Sequence, residues 1–307
     1  MIANKLVCLV GPTRSGKTDL SLVLAEKLKK VELIYADSLA IYKYLDVGTD
    51  KPSPEHRKAI PHHLVDFLDP RERWSAFDFK KEVIRLFFEV TERKALPIVT
   101  GGTAFYLHAL WQTPFQEGAP SDWRMRIWLS RLCNEQIFAL LKGVDPVRAR
   151  KIGKSDRQRL IRAWEIICQT GHPPSEKRKK PSSIFTPLLF GIYWEKETLK
   201  RRIAERVEEM FRRGIVEEVK KLFGMGYAFP IPALDNFTYF PVVQFLHDEI
   251  SLEETKERIK RGTFLFAKRQ MNWFKKWPVI WFPGESMSQE KMAGEIYQFL
   301  EKEGVLQ

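Results

Sequence analysis

The stretch of sequence that decides the fold reads Gly11-Pro12-Thr13-Arg14-Ser15-Gly16-Lys17-Thr18. It fits the spacing G-x-x-x-x-G-K-[ST], and residues 6–10 before it read as a buried strand while residues 19–30 after it read as a helix. A strand, a glycine-rich turn and a helix N-terminus place several backbone N–H groups around one point, where the helix dipole also favours an anion. The stretch therefore predicts a phosphate or diphosphate site, with Lys17 supplying positive charge and the Thr18 hydroxyl a ligand for Mg²⁺.

Strand and helix patterns alternate along most of the chain. Further short apolar runs at 32–36, 96–100, 187–194 and 279–282 read as strands separated by helical patterns. This alternation predicts an α/β fold with a P-loop-type parallel sheet core flanked by helices. Strand patterns stop between residues 112 and 143, where proline and glycine are followed by an Arg- and Trp-rich helical stretch. We expect a core of residues 1–111 and 144–307 and a small helical insertion of residues 112–143.

The chain is strongly basic, and its charge is concentrated. The 307 residues carry a formal net charge of +12 at pH 7, and residues 148–180 hold eleven Lys or Arg against three acidic residues, a difference of +8. A second basic run, residues 256–276, brackets aromatic side chains. Such charge favours binding to a polyanion such as RNA, although a solvated basic surface and packed core aromatics explain the same pattern.

Apolar runs and cysteines indicate the compartment. The first apolar run is short and leads into the phosphate loop, and no later run approaches the ~20 residues that span a bilayer. We therefore expect neither a secretory signal nor a membrane segment. The three cysteines are isolated, which favours reduced thiols in the cytoplasm and gives no zinc site. The adjacent pair His62-His63 lacks further ligands nearby, so structural hydrogen bonding is the better interpretation.

Two strand ends carry residues with chemical potential. The strand at 32–36 ends on Asp37-Ser38, and the strand at 96–100 ends on Gly101-Gly102-Thr103. Because parallel strands share one carboxyl edge, Asp37 is expected close to the phosphate loop, either as a base or as a structural cap or Mg²⁺ support. The glycine pair permits close approach of a ligand, or forms a tight turn.

Later helices carry basic residues. Ser155-Asp156-Arg157-Gln158 is predicted to cap a helix that runs to Gly171, with Arg162 on its polar side, where it could meet phosphates. Arg202 and Arg206 lie four residues apart and share a helix face, so that one of them could reach a diphosphate, or both are surface residues.

Seven segments, in order between residues 5 and 276, carry a resemblance. They include the phosphate loop, Ala36-Asp37-Ser38 and Ala267-Lys268-Arg269-Gln270, and the full set is residues 11–18, 36–52, 62–66, 97–103, 156–163, 206–214 and 267–274. Together these segments resemble the tRNA dimethylallyltransferase (tRNA isopentenyltransferase) family. The phosphate loop alone does not separate this family from kinases, whereas the ordered set does.

The resemblance implies an enzyme that transfers the dimethylallyl group of dimethylallyl diphosphate to N6 of the adenosine 3′-adjacent to the anticodon in tRNA, releasing diphosphate. The target base must be turned out of its stack to react. The implied partners are the tRNA anticodon stem-loop and dimethylallyl diphosphate, and the implied cofactor is Mg²⁺. We expect a cytoplasmic monomer that does not bind membranes.

The resemblance also implies roles for individual residues. Asp37 would be the general base, Thr13 would position the reacting centre, and Arg206 would neutralise departing diphosphate together with the phosphate loop. The residues implied to bind the donor are Gly11, Pro12, Thr13, Arg14, Ser15, Gly16, Lys17 and Thr18. Those implied to contact tRNA are Asp37, Ser38, Leu39, Ala40, Thr103, Arg126, Gln158, Arg159, Leu160, Ile161 and Arg162.

The chain departs from the family pattern at several positions. Ala40 stands where the family usually has Gln, and Arg14 stands where its phosphate loop usually has Ala. Residues 237–241 replace an expected Gly-Tyr-Lys-Glu stretch. Alternative functions are therefore an isopentenyltransferase acting on free adenine nucleotides, a small-metabolite kinase, or an inactive tRNA-binding relative. A kinase needs an ATP-specific lid that the sequence does not show, and a free-nucleotide enzyme has little use for the basic segment 148–180.

Overall fold

A computed structural model describes residues 4–49, 51–111, 122–176 and 183–306. The chain divides into two compact units: a sheet unit of residues 1–113 and 183–307, and a helical unit of residues 114–182. The predicted insertion began at residue 112, and its first ten residues lie outside the described part of the chain.

The sheet unit is built on six parallel strands, which confirms the predicted α/β fold. Their spatial order is β3-β2-β4-β1-β5-β6, so the strand that leads into the phosphate loop lies between β4 and β5. Helices on the faces bury the sheet, which explains why its strands read as nearly continuous apolar runs. The strands are β1 (Lys5–Val10), β2 (Val31–Tyr35), β3 (His62–His63), β4 (Leu96–Gly101), β5 (Thr186–Tyr193) and β6 (Val279–Pro283).

The described helices follow in chain order. No helix in the described ranges combines the length and apolar character needed to cross a bilayer. The helices are α1 (Lys17–Leu28), α2 (Pro54–Ala59), α3 (Ala76–Glu92), α4 (Ala104–Trp111), α5 (Trp123–Ser130), α6 (Asn134–Val144), α7 (Pro146–Ile152), α8 (Arg157–Thr170), α9 (Lys196–Arg212), α10 (Ile215–Gly224), α11 (Phe240–Leu246), α12 (Leu252–Phe274) and α13 (Gln289–Lys302).

The C-terminal helix α13 supports the helix that follows the phosphate loop. Leu20 and Leu24 of α1 share a buried cluster with Ile296 and Leu300 of α13. The last helix predicted from the sequence is α12, and α13 was not predicted. The signal was present, because Ser288 caps the helix and its apolar residues recur at helical spacing.

The helical unit has its own core and extends further than predicted. Its buried cluster joins Leu129 of α5, Leu141 of α6, Ala149 of α7 and Leu160 of α8. Residues 144–182 were predicted to belong to the core domain, but here α7 and α8 pack with α5 and α6. An apolar stripe in a sequence shows that a helix is buried, not which helix buries it.

The start of α8 also differs from the prediction. The N-cap is Asp156, whose carboxylate accepts the Arg159 N–H at 3.1 Å, rather than Ser155. The two residues are both good N-caps, so their order in the chain does not decide between them. Gly171 ends the helix in the left-handed conformation with a φ of 70°, as the predicted boundary requires.

A fully buried carboxylate holds the helical unit together. Glu165 accepts hydrogen bonds from Arg126 at 2.6 and 3.1 Å, from Arg162 at 3.2 Å and from the Asp122 N–H at 3.1 Å. Burial by itself raises the pKa of the Glu165 carboxyl, but the hydrogen bonds and positive charges of the two arginines outweigh it, so the pKa is lowered. The stabilisation is therefore present above the ordinary pKa of a glutamate and is lost as the pH falls through the lowered value.

We expect Glu165→Gln to destabilise the helical unit by about 2–3 kcal/mol, because it leaves two arginines around a neutral group. This is less than the loss for a fully buried pair, since both guanidinium groups are partly exposed. Thermal unfolding followed by circular dichroism measures the effect. Glu176→Gln, an exposed carboxylate in the same unit, is the matched control. Equal melting temperatures for the two variants would contradict the prediction.

Candidate active site at the carboxyl edge of the sheet

The phosphate loop connects β1 to α1 with the conformation that its glycines allow. Gly11 has a φ of 147° and Gly16 a φ of 91°, in the region that favours glycine. A Cβ at Gly11 would lie 2.9 Å from Ser15 Oγ and 3.0 Å from the Ile192 carbonyl oxygen. The loop therefore folds tightly against β5 and delivers its backbone to the N-terminus of α1.

Lys17 folds back over this loop. Its Nζ donates to the Pro12 carbonyl oxygen at 2.7 Å and to Ser15 Oγ at 3.4 Å. The ammonium thus lies beside the backbone that the sequence predicts to hold a diphosphate. The geometry brings together the charge of Lys17, the positive end of α1 and the loop amides, which is the composition of an anion site.

An aromatic ring and an arginine brace the loop from outside. Trp194 donates from its indole nitrogen to the Ser15 carbonyl oxygen at 3.0 Å, and Arg202 Nε donates to the Arg14 carbonyl oxygen at 3.0 Å. The Arg202 guanidinium stacks on the Trp194 ring, 3.9 Å from its centroid. Burial and the nearby positive charge of Arg14 lower the pKa of Arg202. The sequence identified Arg202 only as one of a pair, and it missed Trp194.

Basic side chains line a cleft beside the loop. The cleft has a volume of about 450 Å³ and lies within the sheet unit. Lys51, which also lines the cleft, is neutralised by Asp46 and Asp66 at 2.9 and 2.8 Å. Arg14 and Arg202 repel one another electrostatically at the loop end, so an anion there is favoured. The lining residues are Arg14, Gly16, Lys17, Thr18, Asp19, Asp46, Lys51, Pro52, Ser53, Pro54, His56, Arg57, Arg202 and Arg213.

Asp37 follows the end of β2 and turns its carboxylate into the local backbone. Its Oδ1 accepts the N–H groups of Leu39 and Ala40 at 2.8 and 3.1 Å. Oδ2 has no hydrogen-bond partner among the described residues. One carboxylate oxygen therefore fixes the turn, which matches the capping interpretation, while the other is available to accept a proton, which matches the base interpretation.

The glycine pair after β4 lets two strand ends approach each other. A Cβ at Gly101 would lie 2.3 Å from the Ala36 carbonyl oxygen, so only glycine fits beside the residue that precedes Asp37. The Thr103 N–H donates to that carbonyl oxygen at 3.0 Å, and the Thr103 hydroxyl accepts the Ser38 N–H at 3.0 Å. The ends of β2 and β4 thus place Asp37, Ser38 and Thr103 together.

Arg206 is buried and bonds to the loop that follows Asp46. It is 4% exposed and donates to the Val47 carbonyl oxygen at 2.6 Å. Glu218 holds the same loop, accepting the N–H groups of Val47 and Gly48 at 2.7 and 3.3 Å and the Tyr239 hydroxyl at 2.8 Å. Of the two arginines predicted to share a helix face, Arg202 lines the cleft and Arg206 does not.

Two of the residues predicted to contact tRNA are core residues. Ala40 is 2% exposed in the sheet unit, and Leu160 is fully buried in the helical unit. Their side chains pack in hydrophobic clusters, and contact of these two residues with tRNA stays a prediction. Gln158 and Arg159 are exposed at the start of α8, whereas Ile161 is partly buried.

The histidine pair has the structural role predicted for it. His62 contacts the Ile60 carbonyl oxygen, and His63 Nε2 lies 2.6 Å from a Glu32 oxygen. Arg93 also donates to Glu32 and lowers the pKa of that carboxyl. These contacts tie β3 to β2 away from the phosphate loop.

These features define the class: an α/β protein with a P-loop-type parallel sheet, a glycine-rich loop with a lysine at the first helix, and a carboxylate at the end of β2, with β4 between the two strands. Residues 40–277 match the family model described as IPP transferase. The sequence is 37% identical over 303 residues to a tRNA dimethylallyltransferase of Carboxydothermus hydrogenoformans, covering 96% of this chain and 97% of that protein. A second tRNA dimethylallyltransferase, from Pelotomaculum thermopropionicum, is also 37% identical and covers 98% and 97%.

Solved structures agree. A tRNA isopentenylpyrophosphate transferase of Staphylococcus epidermidis superposes with a TM-score of 0.72 at 33% identity, covering 97% of this chain and 98% of that chain. A eukaryotic dimethylallyltransferase described as acting on tRNA superposes with a TM-score of 0.84 at 26% identity, covering 98% and 79%. The chain belongs to the tRNA dimethylallyltransferase family.

Proposed function

We propose that this protein transfers the dimethylallyl group of dimethylallyl diphosphate to N6 of the adenosine 3′-adjacent to the anticodon in tRNA. The observation that carries the proposal is the shared carboxyl edge of the sheet. There, an amide-lined loop with Lys17 follows β1 and Asp37 follows β2, with only β4 between the two strands. A leaving diphosphate needs the amides and positive charge of the loop, and a nucleophilic amine needs a carboxylate that can take its proton. Family membership supplies the identity of donor and acceptor.

The phosphate loop binds and orients the donor. The backbone of residues 11–18, Lys17 and the two arginines at the loop end neutralise the diphosphate. N6 attacks C1 of the prenyl group, the C1–O bond breaks, and the diphosphate leaves with the bonding electron pair. Negative charge grows on the diphosphate in this step. Hydrogen-bond donors and positive charges fixed around it in advance therefore lower the barrier more than they stabilise bound dimethylallyl diphosphate.

Asp37 removes the proton that the reaction releases. The N6 proton becomes acidic as the C–N bond forms, and Asp37 Oδ2 accepts it while Oδ1 keeps its two backbone hydrogen bonds. Because Oδ1 is anchored, the carboxylate does not need to reorganise during transfer. Thr13, on the phosphate loop, positions the reacting carbon between that loop and Asp37.

Mg²⁺ fits this site only as a companion of the diphosphate. In the described part of the chain, no three His, Cys, Asp or Glu side chains converge on a metal position. Mg²⁺ commonly binds through one or two protein ligands, water and substrate phosphates, and Thr18, which lines the cleft, provides such a ligand. When bound, the ion would add positive charge to the diphosphate. Three further expectations stay predictions: that Arg206 neutralises the departing diphosphate, that the protein is cytoplasmic and that it is a monomer.

The tRNA is expected to meet basic side chains of the helical unit and polar groups near Asp37. Arg126 and Arg162 keep partly exposed guanidinium groups although both pair with Glu165. Arg159 is exposed at the start of α8. These residues contact phosphates and so set affinity and orientation, while the target adenine is recognised where it enters the reaction site.

Nucleoside mass analysis tests the proposal. The protein is incubated with labelled dimethylallyl diphosphate and either unmodified tRNA or AMP. Label on N6-dimethylallyl adenosine of tRNA, with none on AMP, is the expected result. Label on AMP alone indicates the free-nucleotide enzyme, and salt-sensitive tRNA binding without product indicates an inactive relative. In a parallel assay with ATP in place of dimethylallyl diphosphate, transfer of the terminal phosphoryl group to a metabolite, with ADP as the other product, would support the kinase alternative.

A further inference from the structure

One glutamine joins the two halves of the reaction site. Gln270 of α12 is 3% exposed, and its side chain reaches the carboxyl edge of the sheet. Its Oε1 accepts the Thr13 N–H at 2.9 Å, and its Nε2 donates to the Gly102 carbonyl oxygen at 2.7 Å. A single carboxamide therefore bridges the phosphate loop and the turn after β4.

The contact requires an amide and a glycine. The carboxamide offers one acceptor to an N–H group and one donor to a carbonyl oxygen, so its orientation is fixed by its partners. A Cβ at Gly102 would lie 2.2 Å from Gln270 Nε2. Gly102 has no positive φ, which means that the backbone does not demand glycine there. The close approach of Gln270 is the reason that a side chain does not fit.

The bridge continues to the carboxylate. Thr103, the residue after Gly102, binds the Ala36 carbonyl oxygen through its N–H and the Ser38 N–H through its hydroxyl. Ala36 and Ser38 flank Asp37. Gln270 thus connects Thr13, on the donor side, to the two residues that hold Asp37, on the acceptor side.

We infer that Gln270 is a positioning residue, which sets the distance between the donor held by the phosphate loop and the base Asp37; the inference rests on the proposed function. It touches no reacting atom. Reacting groups must be aligned within a fraction of an ångström, and a small displacement lowers kcat even where the donor still binds. The diphosphate keeps its loop amides and Lys17 when Gln270 is replaced, so the donor's KM changes little.

The test compares Gln270→Met and Gln270→Glu with wild type by steady-state prenylation of tRNA. Gln270→Met is expected to lower kcat by about 10- to 100-fold with a near-normal donor KM. Ionised Gln270→Glu still accepts the Thr13 N–H but cannot donate to Gly102. Protonation restores a donor, and burial raises the pKa of the new carboxyl, so its activity relative to wild type should increase as the pH is lowered from about 9 to about 6.

Controls separate position from folding. Gln244→Met removes another glutamine with two side-chain partners, on the preceding helix α11, and should leave kcat unchanged. Thermal unfolding verifies each variant, and Gly102→Ala disturbs the same contact from the opposite side and should lower kcat likewise. Wild-type kcat in folded Gln270 and Gly102 variants would overturn the positioning role alone, as would a Gln270→Glu pH profile parallel to wild type. Inactive wild-type protein would overturn the proposed function and this inference with it.

Discussion

Replacing Asp37 with Asn should lower kcat for tRNA prenylation by about 10²- to 10⁴-fold, the usual contribution of a general base. The variant keeps an oxygen that can accept the N–H groups of Leu39 and Ala40, so the turn after β2 should survive. What it loses is a charged oxygen that can take the N6 proton. Single-turnover kinetics with saturating donor and tRNA measure this loss directly, because product release does not then limit the rate.

The same variant distinguishes the two roles that the sequence left open for Asp37. A carboxylate that only supported Mg²⁺ would produce a defect that excess Mg²⁺ repairs, whereas loss of the base persists at every Mg²⁺ concentration. Asp235→Asn, an exposed aspartate of the same unit, is the control for the substitution itself. Rates for Asp37→Asn close to wild type would refute the assignment of the base.

The part of the site formed by contiguous residues was predictable from sequence. The phosphate loop carries its own geometry, since its glycines, its flanking strand and its helix are adjacent in the chain. Placing Asp37 beside it needed only the rule that parallel strands share a carboxyl edge. The structure confirms that arrangement through β1, β4 and β2, and it explains the glycine pair by the contact of Gly101 with the Ala36 carbonyl oxygen.

Contacts between distant segments were not predictable. Gln270 lies more than 250 residues after Thr13, and nothing in its helix indicates that its amide points to the phosphate loop. Trp194 and Glu218 act on the loops in the same long-range way. The boundary of the helical unit was misplaced for a related reason: the partner of an amphipathic face is decided by tertiary packing. The helix α13, by contrast, was readable from its spacing and was missed.

Replacing Lys17 with Ala is expected to reduce kcat/KM for dimethylallyl diphosphate by about 10²- to 10³-fold. This is the range found when one preorganised hydrogen-bond donor to a developing negative charge is removed. The ammonium of Lys17 bonds to the Pro12 carbonyl and Ser15 Oγ in the free protein. Binding a diphosphate exchanges those neutral acceptors for charged ones, so part of the gain at the ground state is offset. The gain is largest when charge has collected on the leaving group, and the loss should therefore appear more in kcat than in KM.

Steady-state kinetics over a range of donor concentrations separate the two constants, and Lys27→Ala in the last turn of the same helix is the matched control. A Lys17→Arg variant should recover little, because a planar guanidinium cannot replace a compact ammonium that sits against the loop backbone. If Lys17→Ala raised KM alone, the lysine would hold the donor without favouring its departure. The rate would then depend on Arg202 and the loop amides, and the proposal that Lys17 stabilises the departing diphosphate would be wrong.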